Sequence, residues 1–137
     1  MRIAATVVLL LAAAAAGAAS APALLTSKLD TLAGAGARDC GSVPLSANRA
    51  AAIQCARAAA AANRAYRVAF ELSGVDTYTW QGAARNAEGR QWVVYYDADT
   101  SAGPQASPGL GQLLCRELGF SADKPEAVDC TPATGSL

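Results

Sequence analysis

Alternating apolar and polar positions define three segments in the middle of the chain. Residues 64–72 place large apolar side chains at every second position, and a period of two is typical of a half-buried strand. Those positions are Tyr66, Val68, Phe70 and Leu72. Residues 75–84 and 90–97 are rich in Thr, Val and aromatic residues and predict two more strands. Because short turn-forming stretches separate the segments, we predict an antiparallel meander.

Three aromatic residues of this meander form a candidate binding face. Tyr78 and Trp80 share one side of the second strand. A turn centred on residue 86 would place Trp92 opposite Trp80. Packing in the core and an exposed platform for a ligand or partner both fit this pattern. We therefore keep Tyr78, Trp80 and Trp92 as possible binding residues.

A helix is predicted before the meander. Residues 46–62 are rich in alanine, the best helix former. Ser46 is a suitable N-cap, and Asn63 a suitable stop. Residues 112–118 fit either a fourth strand or a short helix, and the Leu and Arg content favours the helix. Residues 127–130 predict a short final strand.

The two ends of the chain differ in composition from the middle. Residues 1–21 start with one positive charge, continue as an apolar run and end in small residues, which is typical of a cleaved signal peptide. An uncleaved membrane anchor is the alternative, although the run is near the short limit for a span. Residues 22–39 are expected to form a flexible leader and residues 131–137 a disordered tail. One domain is then expected over residues 40–130.

Four cysteines form two pairs, each fifteen positions apart. In an exported chain they are expected to form disulfides, and the expected localisation is secreted or periplasmic. Four cysteines allow three pairings. Loop closure favours Cys40 with Cys55 and Cys115 with Cys130, each bond contributing about 3 kcal/mol. The alternative pairings join the early cysteines to the late ones.

Composition removes several classes of function. The chain has no histidine, which excludes a Ser-His-Asp triad, an HExxH metalloprotease and any histidine general base. The cysteine spacing lacks C-x-x-C motifs, so no metal and no cofactor is predicted. Without residues 1–21 the chain has 10 basic and 11 acidic residues, since Arg2 is the only charge removed. The basic residues are spread along the sequence, so neither a nucleic-acid nor a membrane partner is predicted for the processed chain.

These observations predict an α+β fold in which one Ala-rich helix packs on a three- to four-stranded antiparallel meander with two disulfides. The expected function is that of a small exported bacterial-type protein, not an enzyme, that binds a protein or an envelope component. A carboxylate-dependent hydrolase is the alternative, because acids lie at or near the predicted strand ends. These acids are Glu71, Asp76, Asp97 and Asp99.

The order of a helix followed by a meander resembles the layout of cystatin-like and β-lactamase-inhibitor-like folds. The resemblance concerns the order of the elements in residues 46–97, and it implies inhibition of an enzyme as a further alternative. No sequence motif of either family accompanies it.

Overall fold

The computed structural model describes residues 20–99 and 107–134 and contains two helices and a six-stranded sheet. Residues 1–19 of the predicted signal peptide lie outside this part. The helices are α1 (Ala23–Ala33) and α2 (Ala50–Ala61), and the strands are β1 (Arg38–Val43), β2 (Tyr66–Leu72), β3 (Thr77–Arg85), β4 (Gln91–Asp99), β5 (Gly109–Phe120) and β6 (Val128–Pro132). The strands lie side by side in chain order.

The predicted fold class is wrong in the number of helices, the number of strands and the strand directions. Strand β1 runs parallel to β2, and the pairs from β2 to β6 are antiparallel, so the sheet is mixed. Helix α2 connects the parallel pair, because parallel strands require a crossover. Residues 112–118, predicted as a helix, lie within β5. Pairing with both β4 and β6 outweighs their helix propensity.

The expected flexible leader is also corrected by the structure. Helix α1 occupies most of residues 22–39, because Leu25, Leu29 and Ala33 recur every four residues and are all buried. Strand β1 then begins at Arg38. At the other end, β6 extends into the expected tail as far as Pro132.

The two helices cover opposite faces of the sheet. On the α1 face, Leu25 and Leu29 pack with Trp80 and Val94. A Cβ atom at Gly82 would lie 2.8 Å from the side-chain methyl carbons of Leu29, so this glycine permits the close approach of α1. Helix α2 packs over β1 and β2 on the other face, here called the α2 face.

The segment before β6 folds back over the α2 face and is fixed by Gln81. This fully buried side chain accepts hydrogen bonds from the backbone N–H groups of Ala127 (3.0 Å) and Val128 (2.8 Å). Its amide nitrogen donates to the Val128 carbonyl oxygen at 2.9 Å. The middle of the sheet is thereby joined to its edge.

The predicted pairing of neighbouring cysteines is confirmed. The Cys40–Cys55 disulfide links β1 to α2, and the Cys115–Cys130 disulfide links β5 to β6. Two disulfides indicate an oxidising environment. Within residues 20–99 and 107–134, neither helix has the length and apolar character needed to cross a membrane.

Candidate functional site

The predicted aromatic face lies largely inside the molecule. Trp80 is fully buried beneath α1, and Trp92 is 8% exposed. The β3–β4 turn centres on residue 88, so Trp80 lies opposite Tyr96 and Trp92 opposite Ala84. Tyr78 is half-buried, and its ring centroid lies 6.0 Å from that of Trp80. Trp80 and Trp92 are core residues, and Tyr78 packs against the core, so the three rings do not form an exposed platform.

Glu71 and Asp97, two of the strand-end acids, do not form the carboxylate pair that hydrolysis would require. Glu71 lies opposite Trp80, whereas Asp97 lies opposite Thr79. Neighbouring positions of a strand face opposite sides of a sheet, so these two carboxylates project from opposite faces. Glu71 also accepts a hydrogen bond from the backbone N–H of Leu45 at 2.9 Å, which is a structural role. Among the described residues, no three His, Cys, Asp or Glu side chains are grouped as a metal site would need.

Large apolar side chains are exposed at the end of the sheet where β1 and β2 finish. Leu45, in the loop between β1 and α2, is 52% exposed, and Val75, in the turn between β2 and β3, is 88% exposed. We call this region the Leu45/Val75 end. Exposed aliphatic groups are unfavourable in water, and removing them from water on binding is favourable.

Both loops of the Leu45/Val75 end are held in place by local contacts. The bond from Leu45 to Glu71 ties the first loop to β2. In the second loop, a Cβ atom at Gly74 would lie 2.6 Å from the Thr77 carbonyl oxygen, so this turn requires glycine. Asp76 has a φ of 57°, a left-handed conformation that Asp tolerates. Val75 is therefore presented by a tightly folded turn.

An open groove of about 780 Å³ adjoins Leu45. One wall is the loop leading into α2, and the other is residues 122–125. The Arg49 guanidinium connects the walls by donating to the carbonyl oxygens of Ser121 (3.3 Å), Lys124 (2.7 Å) and Pro125 (3.2 Å). Arg57 donates to the Phe120 carbonyl oxygen at 3.2 Å. These contacts make the groove a fixed feature of the surface.

Neither exposed aliphatic residue was selected by the sequence analysis. A local signal does exist, because Leu45 lies between Pro44 and Ser46, and Val75 lies between a glycine and an aspartate. Turn-forming neighbours place an apolar residue in a surface loop, where it does not reach the core. The apolar runs of the meander instead predicted a binding face of aromatic residues, which the fold largely buries.

The fold and site define a two-disulfide α+β domain with exposed aliphatic residues at one end. Comparisons of the chain with protein-family models, with curated proteins and with solved structures found no match.

Proposed function

We propose that the protein is an exported, non-enzymatic binding module that contacts a protein of the cell envelope through the Leu45/Val75 end. The observation that carries this proposal is the exposure of Leu45 and Val75 at one end of a cross-linked body. The groove beside Leu45 offers a concave surface for a partner's side chains. Fixed loops favour binding, because little conformational entropy is lost when they are covered.

Export is supported by two independent features. The first 21 residues have the charge and hydropathy pattern of a signal peptide. The two disulfides fit a compartment in which cysteines are oxidised.

The expected contribution of the two aliphatic side chains follows from their size. Complete burial of a Leu or Val side chain contributes about 1.5–3 kcal/mol, and these two are already partly covered. Replacing both with serine should therefore weaken binding by about 2–3 kcal/mol, or roughly 30- to 150-fold.

The test is affinity capture from the native envelope fraction with matched baits. The baits are the wild-type protein, the double variant Leu45→Ser/Val75→Ser, and the control Leu24→Ser. Leu24 is a good control because it is 47% exposed and lies on α1, across the sheet from the groove. We expect quantitative mass spectrometry to find an envelope protein that the wild type and the control retain and the double variant loses.

The purified partner then allows a direct measurement of affinity. We expect the loss of affinity given above for the double variant and no significant change for the control. The same proteins retained in equal amounts by all three baits would show that the Leu45/Val75 end is not the binding surface.

A further inference from the structure

Four arginines that are dispersed in the sequence are brought together at the opposite end of the sheet. This region, here called the arginine end, is where β1 and β2 begin and β3 finishes. The residues are Arg38, Arg64, Arg85 and Arg90. Tyr66 of β2 is paired with Arg38 in β1 on one side and with Arg85 in β3 on the other. Arg90 directly precedes Gln91 of β4, which is paired with Arg85.

Two of these arginines line an open depression of about 490 Å³. Arg38 and Arg64 contribute its charged side chains, and Asn63 and the turn at residues 35–36 contribute further lining. Arg85 lies beside the depression, where it donates to the Arg64 carbonyl oxygen at 3.2 Å and to the Asn63 side-chain oxygen at 3.5 Å. The Arg85 guanidinium therefore fixes the backbone at Arg64 and adds a further positive charge beside the depression.

The positive charge of the depression is not neutralised by neighbouring carboxylates. None of the acidic residues in the described part of the chain lines it. Among the described residues, the exposed guanidinium groups of Arg38 and Arg64 make no ion pair. Asp39, which follows Arg38, is instead bound by Arg67 at 3.0 Å. The exposed Glu88 of the β3–β4 turn belongs to this end but does not line the depression.

We propose that this depression binds a phosphate group. Guanidinium groups are planar forks that match phosphate oxygens, and two of them suit a group that carries up to two negative charges. Ala35 and Gly36 line the same depression, and their backbone N–H groups have no hydrogen-bond acceptor within the described chain. They supply neutral donors of the kind that accompany arginine in phosphate sites. The site lies at the other end of the strands from Leu45 and Val75, so it does not depend on the proposed protein partner.

The first arm of the test is an NMR titration of the exported, disulfide-bonded protein with inorganic phosphate at constant ionic strength. We expect saturable shifts of the amide signals of Ala35 and Gly36, with a dissociation constant on the order of 1 mM for such an exposed site. The variant Arg38→Gln/Arg64→Gln should weaken binding by at least about tenfold. The control Lys28→Gln/Lys124→Gln changes the net charge equally, away from the depression, and should bind as the wild type does.

The second arm distinguishes a free phosphate compound from a lipid headgroup. Co-sedimentation with vesicles of phosphatidylglycerol, compared with vesicles of neutral phosphatidylcholine, measures headgroup binding. Saturable binding in either arm that is lost only in the arginine variant supports the proposal and identifies the source of the phosphate. An absence of binding in both arms overturns it. Equal weakening by the arginine and lysine variants also overturns it, because the effect would then come from net charge.

Discussion

Gln81 allows a stringent test of how the β5–β6 segment is held against the sheet. In the variant Gln81→Met, a side chain of similar volume replaces the amide, so packing is largely kept. The variant then removes three hydrogen bonds that Gln81 makes with the backbone: those to the N–H groups of Ala127 and Val128 and that to the Val128 carbonyl oxygen. Both residues are almost completely buried, so water does not readily replace the amide.

The expected loss follows from these three backbone groups. A buried polar group without a partner costs about 1–3 kcal/mol, so the variant should lose at least about 3 kcal/mol of unfolding free energy. A domain of this size has about 5–15 kcal/mol in total. The melting temperature should therefore fall by roughly 12 °C or more, at about 4 °C per kcal/mol.

Chemical and thermal unfolding of the oxidised protein, followed by circular dichroism, measures this loss. Amide hydrogen exchange locates it, and we expect the largest increase at Ala127 and Val128. The control Gln112→Met changes an exposed residue of β5 and should leave stability within about 0.5 kcal/mol of wild type. If Gln81→Met lies within about 1 kcal/mol of wild type and exchange at Ala127 and Val128 is unchanged, the role assigned to Gln81 is wrong.

Three further predictions concern the core and the cross-links. Burial raises the pKa of Tyr66 to about 12, against a smaller lowering by Arg85. The free energy of unfolding should therefore fall by up to about 3 kcal/mol as the pH rises from about 10 to about 12. Tyr66→Phe should remove this part of the pH dependence in alkaline unfolding curves. Gly82→Ala should cost about 1–3 kcal/mol in chemical unfolding, because its Cβ meets the buried Leu29 side chain, whereas Gly111→Ala has open space and should cost less. Serine substitution of both cysteines in either disulfide should cost about 3 kcal/mol in the same assay, and thiol titration of the unfolded wild type should find no free sulfhydryl.

The parts of the fold that have a strong local pattern could be predicted from the sequence. Helix α2 and strands β2, β3 and β4 lie within the predicted segments or within two residues of them. The stop at Asn63 is confirmed by its left-handed φ of 54°. The predicted N-cap was wrong, since the helix begins at Ala50, whose N–H is bound by the Asn48 side chain at 2.7 Å rather than by Ser46.

Strand β5 was predicted only as the alternative to a helix, because its alternation is interrupted. A bulge between Cys115 and Glu117 shifts the register by one residue. Leu113 lies on the α2 face before the bulge, and Leu118 and Phe120 lie on it afterwards. Their spacing therefore departs from a period of two, and the helix propensity of the Leu and Arg residues then favours a helix.

Strand β1 and the arginine end were missed because they depend on contacts between distant segments. The parallel partner of β1 lies beyond helix α2, and no local pattern reports such a pairing. The arginine end is formed from residues that are up to 52 positions apart, as Arg38 and Arg90 are. Only the folded sheet brings their charges together.

The positions of the disulfides have a consequence for association between molecules. The sheet has two edge strands, β1 and β6, and each contains one half-cystine, Cys40 in β1 and Cys130 in β6. An edge strand that detaches exposes a hydrogen-bonding template on which other chains can add and form fibrils. Each edge is covalently attached to its neighbouring element, which restricts detachment as long as the disulfide is intact. The oxidised protein should therefore resist fibril formation during prolonged agitation, and its reduced form should be the aggregating species.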